Sequence, residues 1–102
     1  MDQTIDKNAW VYVVVQNPGG NETIVGQHDA EHDIHFVPVF RDRDSALLGV
    51  TKLVKEPGQT FEIQAIIYDD LLRYTAEGGF LIFMLDGHGN IAFKLRPDGQ
   101  PL

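Results

Sequence analysis

Residues 35–67 read HFVPVFRDRDSALLGVTKLVKEPGQTFEIQAII, and their hydrophobic period changes twice. His35 to Phe40 is a β-branched and aromatic run of strand length. Pro38 interrupts it and cannot donate to a ladder, which predicts an edge strand or a bulge. Asp42 or Asp44 then offers a helix N-cap. Ala46, Leu47, Val50, Leu53 and Val54 follow the i, i+1, i+4, i+7, i+8 spacing of one apolar helical face, and Pro57-Gly58 ends it. From Phe61 the odd positions Phe61, Ile63, Ala65 and Ile67 are apolar, while Glu62 and Gln64 point the other way, as in a half-buried strand. If the two strands are parallel, this strand–helix–strand crossover should be right-handed.

Working outward, Trp10 to Val15 is apolar at every position and predicts a strand covered on both faces. Asn17-Pro18-Gly19-Gly20-Asn21 is a turn cluster, and Glu22 to His28 returns as the second arm of a hairpin. Asp29 to Asp33 is acidic and loop-like. Asp69 caps a shorter helix over Leu71, Leu72, Thr75 and Ala76, closed by Gly78-Gly79. Phe80 to Leu85 reads as a central strand, Asp86 to Asn90 as a tight turn, and Ile91, Phe93 and Leu95 alternate as a last strand. The order β-β-β-α-β-α-β-β predicts an α+β fold: a two-layer sandwich with a five- to six-stranded mixed sheet and two helices. Residues 1–8 are expected to be a flexible leader, 9–96 a single domain and 97–102 a tail.

The chain has 102 residues, enough for one hydrophobic core and too few for two domains of ordinary size. Eight basic residues against fifteen acidic ones leave a net charge of −7. A nucleic-acid binder displaces phosphate counterions with clustered Lys and Arg, and here the few basic residues are scattered, so no nucleic-acid partner is expected. The acidic balance and the lack of an 18-residue apolar run argue against a membrane role. There is no cysteine, which excludes disulfides and thiol chemistry. Met1 to Asp6 has neither a basic nor an apolar region of a signal peptide, so the expected setting is cytoplasmic.

The cluster with the most chemistry is His28-Asp29-Ala30-Glu31-His32-Asp33-Ile34-His35. On a helix His28, His32 and His35 would converge and could hold a divalent ion such as zinc. The segment lies between strands, however, and a solvated polar loop is the plainer reading, with a metal or small-molecule site at these histidines as the alternative. Asp86-Gly87-His88-Gly89-Asn90-Ile91 resembles a calcium loop, but the register that puts Gly89 sixth puts Met84 first and Leu95 twelfth, and neither is a ligand. A hairpin turn explains the same residues. No phosphate loop or elbow serine is present, and Ser45 fits a capping turn. Asp69-Asp70 sits where a helix dipole stabilises carboxylates. Trp10, Tyr12, Tyr68 and Tyr74 fit core or interface positions. No nucleophile, base and orienter set is legible, so neither a catalytic residue nor a cofactor is expected.

The block His35-Phe36-Val37-Pro38-Val39-Phe40-Arg41-Asp42, entering a helix at Ser45-Ala46, resembles the corresponding block of the SseB N-terminal domain family. The similarity in layout extends over residues 10–95. It implies a small α+β domain with a regulatory or partner-binding role and carries over no catalytic residue. The expectation is therefore a non-enzymatic domain acting through protein–protein contact. A homodimer is expected from a covering argument: two strands are apolar on both faces, and helices sharing one side would leave the other face for a second copy.

Overall fold

The computed structural model describes residues 5–20 and 22–102. Its strands are β1 (Trp10–Gln16), β2 (Thr23–Ile24), β3 (Gln27–Asp29), β4 (Ile34–Phe40), β5 (Phe61–Ile67), β6 (Leu81–Leu85) and β7 (Ile91–Leu95), with helices α1 (Arg43–Gly49) and α2 (Tyr68–Gly78). The long strands lie in the order β5-β1-β4-β6-β7. The β4–β6 pair is parallel and the other pairs are antiparallel. The α+β class, the mixed sheet, the two helices and the order of elements are as the sequence reading has them. The strand count rises to seven because the segment 22–28 is broken.

That break fills a fork in the sheet. β1 and β4 pair directly only at Tyr12↔Phe40 and Val13↔Val39. Beyond this point they diverge. Thr23 and Ile24 pair with β1, the chain turns at Val25-Gly26, and Gln27 to Asp29 pair with β4. Pro38 thus lies inside the sheet, correcting the expected edge position. Its tolerance follows from the fork: β4 uses Phe40 and Val39 against β1, and Phe36, His35 and Ile34 against β3. Val37 and Pro38 between them have no strand partner on that side, so a missing N–H there costs no ladder bond.

The two helices divide between the faces. Val11, Val13, Val15, Val37, Val39, Ile82 and Met84 point to one side and pack with Tyr68, Leu71 and Leu72 of α2. Val14, Phe40, Phe83 and Leu85 point to the other and pack with Ala46 of α1 and with Val50 and Leu53 after it. The cause is topological. The β4–α1–β5 crossover passes over β1 in one direction, and β5–α2–β6 returns over β1 and β4 in the other. Crossovers of one hand that run opposite ways place their helices on opposite faces. The layering is thereby refined to a sheet with one helix on each side, and the uncovered face of the covering argument is absent.

Helix ends combine local caps with contacts distant in sequence. Asp42 caps α1, its Oδ1 accepting from the Ser45 N–H at 2.7 Å. The helix stops at Gly49, where a Cβ would come within 2.3 Å of the Phe40 ring, and tightens into a 3-10 turn over Val50–Lys52. Val54 thereby leaves the helical face expected for it and is exposed, its backbone held by the Gln27 amide at 3.1 and 3.2 Å. Helix α2 starts straight from β5, and Asp69 is not its cap. The Tyr68 and Asp69 N–H groups donate instead to the carbonyls of Ala9 and Lys7. The helix closes on Gly79 in the left-handed conformation, φ 73°. Of the expected leader, residues 1–4 lie outside the described residues, while Ile5 packs on the α2-side core. Asn21 of the expected turn cluster lies outside them as well. The C-terminal residues dock along β7 through the Leu95↔Pro101 bridge. Among the described residues, no helix is long and apolar enough to cross a membrane.

Candidate functional site

The two edges of the sheet are finished differently. β7 is partly closed: Leu95 bridges Pro101, and the Leu102 N–H donates to the Lys94 carbonyl. β5 pairs along all seven residues with β1, from Trp10↔Ile67 to Gln16↔Phe61, and has no strand partner on its outer side among the described residues. An open edge presents a row of unpaired backbone donors and acceptors, which proteins commonly blunt with proline, bulges or inward charges. The sequence FEIQAII over Phe61–Ile67 holds no proline and one charge, Glu62, and its register with β1 is unbroken.

The side chains beside this edge are apolar on the α1 side. Phe61, Ile63, Ala65 and Ile67 alternate onto that face, and Trp10 lies opposite Ile67 and is 60% exposed. On the α2 side Glu62, Gln64 and Ile66 alternate with them. A groove of about 230 Å³ lies there, lined by Val13, Val15, Ile24, Gln64 and Ile66 among others. The sequence pattern marked β5 as half-buried but carried no sign that its long side would be unpaired, because strand order is set by the crossovers.

The histidine segment folds as the β3–β4 hairpin. His28 is registered opposite His35, and their rings stack with centroids 4.4 Å apart and planes 17° from parallel. Asp33, at φ 51°, brings its Oδ1 to 3.0 Å from His28 Nε2. His32 faces away from this group, with Nδ1 2.9 Å from Asp29 Oδ2. Of the three histidines proposed from sequence, the structure brings two together and separates the third. It adds Asp33, whose part depends on the length of the hairpin loop. The His32 hydrogen bond, with help from backbone N–H groups of His32 and Glu31, holds the Asp29 carboxyl below its ordinary range.

The other polar residues singled out serve local structure. Ser45 completes the Asp42 cap through its hydroxyl at 3.2 Å. Thr75 is buried in α2 with its Oγ1 2.7 Å from the Pro97 carbonyl, tying the helix to the C-terminal segment. Asp69 and Asp70 pair with Arg73 one turn on. Asp86 Oδ1 accepts from the N–H groups of His88 at 2.8 Å and Asn90 at 2.9 Å, organising the turn that had looked like a calcium loop. Tyr68 is buried against α2's side of the sheet and Tyr74 stacks on Phe80.

Comparison with models of protein families, with characterised proteins and with solved structures yields no significant match to this chain.

Proposed function

We propose that this chain is a non-enzymatic interaction domain of the cytoplasm that works as a homodimer, the open β5 edge pairing antiparallel with β5 of a second copy. What supports this reading is the pattern of Phe61–Ile67 about its centre, Gln64. In an antiparallel pairing centred there, Phe61 meets Ile67 of the second copy, Ile63 meets Ala65, and Gln64 meets Gln64. An opposed aromatic–β-branched pair favours the ladder by about 0.2–1 kcal/mol, and the two-fold axis makes two Phe61–Ile67 pairs. The single charge, Glu62, meets Ile66 and not its own symmetry mate. The contact is isologous, so it closes at two copies. The partner-binding role implied by the SseB-like block is of the same kind.

Net charge opposes the pairing, since each chain carries −7. Salt screens that repulsion, so self-association should tighten as ionic strength rises. Sedimentation equilibrium tests the reading. The wild type is expected to be dimeric at micromolar concentration. Gln64→Glu, which puts two carboxylates face to face, is expected to be a folded monomer. A wild type that stays monomeric into the hundreds of micromolar would overturn the proposal.

A further inference from the structure

The β3–β4 hairpin presents an arrangement separate from the open edge. Antiparallel register sends residues directly opposite one another to the same face, so His28 and His35 leave the hairpin together. Asp33 sits at the end of the loop, two residues before His35, and its left-handed backbone places the carboxylate beside the same two rings. One donor atom from each of the three residues lies within 4.8 Å of the other two. The ring nitrogens of His35 take part in no hydrogen bond with any described residue, and His28 has one, to Asp33. The neighbouring group Asp29, Glu31 and His32 meets the same distance limit. Its Asp29 carboxylate holds three partners, the His32 ring and the turn N–H groups of Glu31 and His32, whereas the Asp33 carboxylate has only the His28 ring among the described residues.

We propose that His28, Asp33 and His35 form a binding site for one divalent transition-metal ion, with the remaining coordination positions open to water. Two imidazole nitrogens and one carboxylate oxygen suit zinc, cobalt, nickel or copper, whereas magnesium and calcium prefer all-oxygen sets. Metal–donor distances of about 2.0–2.2 Å require the three atoms to close from their present spread, which side-chain torsions supply while the paired backbone holds the bases of both histidines in place. The ion takes the position between His28 Nε2 and Asp33 Oδ1, so both groups exchange one partner for another. All three residues are exposed, which makes the ion exchangeable and leaves a face of it free. His32 takes no part, which separates this site from any general affinity of a histidine-rich loop.

The test is titration of the tag-free chain with Zn²⁺ by calorimetry and with Co²⁺ by visible absorption. One ion per chain is expected, with the intense visible bands that a Co²⁺ ion of four or five ligands shows and the hydrated ion does not. His28→Gln, Asp33→Asn and His35→Gln should each weaken binding at least tenfold. His32→Gln should leave it within twofold, and the monomeric Gln64→Glu should bind as the wild type does. Circular dichroism of each variant checks that the fold is kept. Wild-type binding too weak to detect at 100 μM ion, or a loss in His32→Gln as large as in His28→Gln, would overturn the proposal.

Discussion

Trp10 is registered directly opposite Ile67 at the corner where β1 meets the open edge strand, and it remains 60% exposed. In the proposed dimer Ile67 abuts Phe61 of the second copy, so indole, aliphatic and phenyl side chains line up across three strands on the α1 side. Trp10 is the only tryptophan in the chain. Its emission should therefore shift to longer wavelength as the dimer is diluted to monomer. Trp10→Ala should weaken association about threefold, within the roughly 0.2–1 kcal/mol of a cross-strand aromatic pair, because β5 lies between Trp10 and the second copy. Thermal stability of the monomer should barely change. Emission independent of concentration would contradict this role.

Gly49 and Phe40 form a second relationship with a measurable consequence. Phe40 is fully buried, and its ring occupies the space that a Cβ on Gly49 would need. Gly49→Ala should cost about 1–3 kcal/mol by overpacking, despite the better helix propensity of alanine. In the Phe40→Leu background the same substitution should cost less than half as much, a non-additivity expected of groups in contact. Denaturant melts of the four proteins measure it.

Acid stability should depend on Asp86. Hydrogen bonds from the backbone N–H groups of Asn90 and His88 lower its pKa from the ordinary aspartate value. A carboxyl whose folded pKa is depressed stabilises the fold above its unfolded pKa, and the stabilisation is lost as pH falls through the folded pKa. Asp86→Ala should therefore lower the melting temperature by a few degrees at neutral pH. The difference from wild type should shrink at acid pH, below the ordinary aspartate range. A difference that stays constant down to pH 2 would show that the turn does not depend on the charge.

Local signals in the sequence carried the elements, the Asp42 cap of α1 and the glycine end of α2, while tertiary contacts decided the start of α2 and the placement of both helices. Trp10 to Val15 and Leu81 to Leu85 are apolar throughout, and both strands lie inside the sheet. The close approach of Phe40 to α1 requires Gly49, nine residues on, and the start of α2 depends on carbonyls of Lys7 and Ala9, some sixty residues away in the chain. No local pattern reports such partners. The split of the helices follows from strand order, since the direction of each crossover chooses its face. At the hairpin the composition was legible but the grouping was not. Side chains alternate along a strand, so the length of the loop decides whether His32 or Asp33 joins His28 and His35.

The pairing of β5 with β5 at Gln64 can be read directly, because the chain has no cysteine and Gln64→Cys introduces a single thiol. Residues facing each other in an antiparallel pair have Cα atoms about 4.5–5.5 Å apart, within disulfide range. Glu62→Cys puts the two thiols four residues out of register, about 13 Å apart along the strands. Under mild oxidation at tens of micromolar, Gln64→Cys is expected to run as a covalent dimer on a non-reducing gel and Glu62→Cys as a monomer. No cross-link at Gln64, or equal cross-linking at both positions, would contradict the dimer.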